Sequence, residues 1–196
     1  PEEALALLCE QLRFMGLHQH ALVAESSVDA YFRISEWEQL RREDIIDDGE
    51  DVGVILGIAE RGERVKTGHN QGVCFDSLAL RAEWRALRAS LAPGSKVFPF
   101  TAAQFRHAWE RAKAATGLDW VGPPHDLRHS GAARDILKEL RTLEQVRRRG
   151  RWKMLSSVQR YTKTWLLVRN RSRLSPLQLK QGAALIARRG ARKLVS

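Results

Sequence analysis

The chain has 196 residues, enough for one well-buried domain, and a formal net charge of +10. It holds no apolar run of about 18 residues or more, no basic-then-apolar leader, and only two cysteines, Cys9 and Cys74, too few for a disulfide framework or a zinc cluster. Membrane-spanning and disulfide-stapled classes are therefore excluded, and an intracellular protein is expected. The charge is lopsided: residues 1–98 hold 11 Lys/Arg against 17 Asp/Glu, whereas residues 99–196 hold 22 against 6. A field of that kind attracts polyanions, nucleic acid foremost.

In chain order, Leu5, Leu8, Leu12 and Met15 recur at helical spacing over 2–15. Ser26 or Ser27 is expected to cap a second helix running through Val28, Phe32 and Leu40 to about Arg41. Asp47-Asp48-Gly49 breaks the chain, and Val52, Val54, Leu56 and Ile58 alternate as in a strand. Gly62 and Gly68 mark turns, and Gly72 to Phe75 reads as a last strand before Asp76 caps a helix of about 77–90. Thr101 is expected to cap a helix of about 102–116 that Gly117 stops. Another helix opens near Asp126 after Pro123-Pro124, and shorter ones follow at about 142–149 and 156–163. From Ser175-Pro176 a tail carries an apolar pattern of Leu177, Leu179, Ala183, Leu185 and Ile186, then turns basic. The expected fold class is mainly α with a small antiparallel β-sheet.

Three segments stand out for chemistry. Tyr31-Phe-Arg33-Ile-Ser-Glu36 sets an arginine and a glutamate one helical turn apart. His125-Asp-Leu-Arg128-His-Ser-Gly puts His125 and Arg128 at i and i+3 on one helix face. Gly150-Arg151-Trp152 lies upstream of Tyr161, with nine residues from Trp152 to Tyr161. Between the first two, Lys66-Thr67-Gly68 reads as a β-turn. No H-E-x-x-H, paired CxxC or P-loop is present, so chemistry here must come from Arg, Lys, His and a nucleophile, with no cofactor. Each residue taken alone has an ordinary reading: a solvated arginine, a turn lysine, a core tryptophan, a packed tyrosine. Their order and fixed spacings carry the weight.

Taken together, these segments resemble the tyrosine recombinase (phage integrase) family over about residues 20 to 165. The resemblance implies that Arg33 and Arg128 are the two catalytic arginines, Glu36 the acid supporting the first, and Lys66 the hairpin lysine. It implies further that His125 opens the H-x-L-R-H box, Trp152 fills the His/Trp position, and Tyr161 is the nucleophile. Two departures stand: Ala30-Tyr31-Phe32 replaces the usual Thr-Gly-Leu, and Gly150-Arg151-Trp152 has one residue more between glycine and aromatic than the usual Gly-His-Ser.

The implied activity is site-specific DNA strand exchange through a 3′-phosphotyrosine, with a type IB topoisomerase-like nicking-resealing enzyme and a non-catalytic DNA-binding relative as alternatives. Two guanidiniums suit it, because planar forks of donors hold the non-bridging oxygens of a pentacoordinate phosphate without losing charge. The implied partners are double-stranded DNA and other copies of the chain, as a tetramer on two DNA sites, at an intracellular location with DNA. Thr101, Gln104 and Arg106 are candidates for reading base edges, and Arg147, Arg148, Arg149, Arg151 and Lys153 for holding phosphates. A helix-capping role competes for that basic run. The chain is read as one catalytic domain, with a core at 1–164 and a tail at 165–196 that is a candidate for exchange between protomers. The N-terminal DNA-binding domain usual in the family has no counterpart, so a piece of a longer protein is expected.

Overall fold

The computed structural model describes residues 1–63, 68–159, 161 and 165–191. The chain opens with α1 (Glu2–Phe14), α2 (His18–Asp29) and α3 (Ile34–Gln39). Among the described residues three short strands follow, β1 (Ile45–Asp47), β2 (Val52–Leu56) and β3 (Gln71–Cys74), in an antiparallel sheet of order β1-β2-β3. Val54 faces Ile45 on one side and Val73 on the other. Then come α4 (Leu78–Ser90), α5 (Ala102–Thr116), α6 (His125–Leu137), α7 (Leu143–Arg149), α8 (Ser156–Gln159), α9 (Trp165–Arg171) and α10 (Pro176–Ala191). This is the mainly helical fold with a small antiparallel sheet that the sequence implies. Among the described residues no helix is long and apolar enough to cross a membrane.

Two cores form. The larger gathers α1, α2, α4, α5 and the sheet around an aromatic cluster in which Phe75 stacks on Trp84 at 4.8 Å and Trp37 meets Phe105 edge-on at 5.6 Å. The smaller lies between α6, α7 and α8 and consists of Tyr31, Ala132, Val146, Val158 and Tyr161, with Trp152 against it. Gly131 lets α6 close on α2, since a Cβ there would stand 2.0 Å from the Val28 carbonyl oxygen.

Several boundaries differ from the sequence expectation. Ser26 and Ser27 cap nothing: they are buried in the last turns of α2, where Ser26 Oγ accepts the Trp84 indole N–H at 2.9 Å. The helix expected through Phe32 is interrupted, because Tyr31 takes a left-handed φ of 53° and α3 starts afresh at Ile34. Ser77, not Asp76, caps α4, its side chain accepting the Leu80 N–H. Asp76 instead pairs with Arg141 and Arg149. The Thr101 cap and the stop at Gly117 hold as expected, with Thr101 and Gln104 exchanging both bonds of a capping box.

The tail folds back along α1. Gly182 sits against Glu3, so close that a Cβ would lie 2.6 Å from the Glu3 Cβ. Arg188 pairs with Glu10 at 2.6 Å, and Arg189 reaches Glu25 at 2.5 Å and Glu83 at 2.8 Å.

Candidate active site

Glu36 organises the site. It is the third residue of α3, and its Oε2 accepts the backbone N–H of Arg33, the residue preceding that helix, at 2.7 Å. Its Oε1 receives the Arg33 guanidinium. Arg151 donates to Oε2 at 2.7 Å, and Arg128 comes within 3.9 Å of it. Three guanidiniums thus converge on one carboxylate, a local excess of two positive charges in a largely buried setting. Burial pushes the Glu36 carboxyl up, but Arg151, the Arg33 N–H, and the charges of Arg33 and Arg128 outweigh it and hold it below the usual carboxylate range.

The arginines are held by main-chain carbonyls as well. Arg128, only 3% exposed, donates to the Tyr31 carbonyl at 2.7 Å and to that of Gly150. Arg151 donates to the same Tyr31 carbonyl at 2.9 Å, and Arg33 reaches the Arg151 carbonyl at 3.3 Å. Burial first, then the charges of Arg33 and Arg151, push the Arg128 guanidinium down to about 9. It therefore remains cationic at neutral pH. These bonds account for two of its five N–H groups.

The two departures from the family pattern now have a physical reading. Tyr31 stands where a glycine would ease a left-handed turn. Its φ of 53° costs about 1–2 kcal/mol. The buried hydroxyl offsets this by donating to Asp135 Oδ2 at 2.6 Å, and the turn aims its carbonyl at Arg128 and Arg151. The additional residue Arg151 also has a left-handed φ, 55°, which turns its side chain inward onto Glu36. Gly150 is needed beside it, since a Cβ there would lie 1.7 Å from the Trp152 ring.

Trp152 joins the arginines to the tyrosine. The Arg128 guanidinium carbon lies 4.4 Å from the centroid of its ring, a cation–π contact. The Tyr161 ring lies 5.4 Å away, tilted by 49°. Tyr161 is 9% exposed. Its Oη meets His129 Nδ1 at 2.5 Å, with the two rings stacked at 5.3 Å. His125 is exposed at the start of α6 and touches His129, Nε2 to Nε2, at 2.8 Å.

Of the residues singled out in the sequence, Arg33, Glu36, Arg128, Trp152 and Tyr161 come together, with His125 at the edge beyond His129. Lys66 lies outside the described residues. Thr101, Gln104 and Arg106 are exposed at the start of α5, where the first two form its cap. The basic run does not form one surface. Arg148 and Lys153 are exposed, while Arg147 and Arg148 both pair with Glu144. Arg149 turns inward to Asp29 and Asp76. Arg151 is buried against Glu36, so the expectation that it lies on a phosphate-holding strip is corrected. Sequence reasoning missed Arg151 and His129 as members of the pocket. The signal for Arg151 was the additional residue after Gly150; for His129 it was the i, i+4 spacing from His125.

Known proteins share this fold. Among solved structures, the chain resembles the XerH site-specific recombinase bound to difH substrate in a pre-cleavage complex, with a TM-score of 0.61 and 20% identity over 83% of this chain and 49% of that one. It also resembles the same recombinase bound to palindromic difH substrate in a post-cleavage complex, with a TM-score of 0.61 and 19% identity over 92% of this chain and 50% of that one. The chain spans about half the length of the solved structures it matches. No curated protein matches it. The phage integrase family model matches residues 13–165. With that match covering most of the sequence, the chain belongs to the phage integrase family.

Proposed function

We propose that this domain cleaves and rejoins DNA at specific sites through a 3′-phosphotyrosine on Tyr161. The observation that carries the reading is the convergence of Arg33 and Arg128 on Glu36, with Trp152 bridging Arg128 to Tyr161. A backbone phosphate set against the arginines would meet cationic forks where the pentacoordinate transition state gathers negative charge. By analogy with one oxyanion-hole donor, each fork is worth about 3 kcal/mol. The indole N–H of Trp152 adds a donor, and its ring keeps the Arg128 guanidinium in place. Free tyrosine ionises only near pH ~10, so the excess of positive charge matters: it favours the phenolate as attack proceeds.

The displaced 5′-oxygen needs a proton, a task the family resemblance gives to Lys66. The phosphotyrosyl ester keeps the energy of the broken bond, so a second DNA 5′-hydroxyl can reverse the step without nucleotide or metal. The full protein would act on double-stranded DNA, with copies assembled as a tetramer on two sites.

The test uses the full-length protein and nicked duplexes tiled across the DNA that flanks its gene, resolved on a denaturing gel. A covalent adduct is expected with one duplex and is expected to vanish in Tyr161→Phe. Tight binding to a flanking duplex with no adduct at any nick position would overturn the reading in favour of a non-catalytic DNA-binding protein.

A further inference from the structure

Cleavage requires Tyr161 to lose its hydroxyl proton as Oη bonds to phosphorus, and His129 lies against that hydroxyl. Its Nδ1 lies 2.5 Å from Oη with the rings stacked, and its Nε2 lies 2.8 Å from Nε2 of His125. The two imidazoles meet nearly at right angles, 81°. Both belong to α6, four residues apart, so the helix repeat itself sets their spacing. Trp152 closes the third side, its ring 6.5 Å from His129, with the Arg128 cation on the indole face. His125 is exposed. The three groups form a line from the buried phenol to solvent.

We propose that His129 is the base that takes the phenol proton and that His125 passes it to water, an inference that rests on Tyr161 being the nucleophile. Two neutral imidazoles in Nε2-to-Nε2 contact require one nitrogen to carry a proton and the other to be bare. If His129 carries it, its Nδ1 is bare and accepts from the phenol. If His125 carries it, His129 must donate from Nδ1 to a phenol oxygen. The first arrangement is the stronger, because a bare imidazole nitrogen is far more basic than a phenol oxygen.

In the step itself, Oη forms its bond to phosphorus while its O–H bond breaks and the proton moves to His129 Nδ1. His129 gives its Nε2 proton to His125 Nε2, and His125 releases its Nδ1 proton to water. The P–O5′ bond breaks, and that oxygen takes a proton from a separate donor. His129 ends neutral with its proton on the other nitrogen, ready to return it to the phenol on rejoining. Passing the proton along, rather than keeping it, avoids a lasting imidazolium beside Arg128.

Two measurements test this. In 15N-labelled full-length protein without DNA, near pH 8, long-range proton–nitrogen spectra should find His129 protonated on Nε2 and His125 on Nδ1. Tyr161→Phe should shift the His129 signals. A proton on Nδ1 of His129 would overturn the relay.

The second measurement is single-turnover cleavage of the nicked duplex. His129→Asn keeps an acceptor oxygen near the place of Nδ1 but cannot take a proton, and is expected to slow cleavage about 100-fold or more. The loss should persist on a 5′-bridging phosphorothiolate, whose leaving group needs no proton. His125→Gly should be partly restored by added imidazole, since the site is open to solvent. A His129→Asn protein that cuts at the wild-type rate would make His129 a packing residue and sink the relay alone. A wild-type protein that forms no adduct sinks the nucleophile reading, whatever the tautomers.

Discussion

Replacing Glu36 with Gln removes one negative charge from between three guanidiniums and changes almost nothing in shape. In the folded protein the carboxylate accepts the Arg33 N–H at 2.7 Å and the Arg151 guanidinium at 2.7 Å, and it also pairs with the Arg33 side chain. Its side chain is 8% exposed and that of Arg151 4%, so water offers little compensation. Breaking a buried ion pair by removing one partner costs about 3–5 kcal/mol. Retention of the amide oxygen for the Arg33 N–H, and the partial exposure of Arg33, put Glu36→Gln near the lower figure, about 3 kcal/mol. For a domain of this size that lowers the melting temperature by about 6–12 °C.

The pH dependence follows from the sign of the Glu36 shift. Its carboxyl is held below its ordinary value, so its stabilisation is complete above the unfolded-state value and fades as pH falls through the folded-state one. Thermal and urea unfolding of wild type and variant should therefore differ by a constant amount from about pH 6 to 8, and the gap should close in acid. A loss under about 1 kcal/mol, or a gap that persists undiminished into strong acid, would refute the view that Glu36 holds the arginines together by its charge.

Other outcomes follow from single contacts. Tyr31→Phe removes the buried bond to Asp135 and should cost about 2 kcal/mol in urea unfolding, since the acceptor is charged. Gly131→Ala drives a methyl group into the Val28 carbonyl oxygen and the Tyr31 ring, and should cost about 3 kcal/mol by the same measurement. Arg148, with a side chain 76% exposed, is free to meet a phosphate by rotating away from Glu144. Arg148→Ala should flatten the salt dependence of duplex binding by about 0.9 in the log–log slope. Arg149→Ala should leave that slope unchanged and lower stability instead, because Arg149 is spent on Asp29 and Asp76.

The residues legible in the sequence were those whose chemistry depends on type and spacing. Arg33 and Glu36 sit at the start of α3, where their separation of three lets the carboxylate reach back to the Arg33 N–H. Arg128 is one helical turn beyond His125 on α6. Trp152 and Tyr161 come together through α8, whose Val158 packs beside the Tyr161 ring in the smaller core. What could not be read depends on backbone turns that side-chain identity does not advertise. Tyrosine and arginine are poor indicators of a left-handed φ, yet Tyr31 and Arg151 adopt it, and each turn redirects a carbonyl or a guanidinium into the pocket.

For the same reason α2 and α3 read as one helix: Val28 and Phe32 keep helical spacing across a break made by the left-handed Tyr31 and the extended Arg33. β1 escaped notice because three residues, Ile45–Asp47, are too few to display alternation. The basic run 147–153 looked uniform in sequence, whereas the fold divides it between surface, ion pairs and the buried site. His129 looked like the tail of a motif, and only the approach of Tyr161 from 32 residues away gives it a task.

Mass spectrometry of the protease-digested covalent complex, trapped on a nicked flanking duplex, addresses the central claim most directly. One modified peptide is expected, the one holding Tyr161, carrying a nucleotide joined through a 3′-phosphate. A nucleotide on any other side chain, or one attached through its 5′-phosphate, would contradict it.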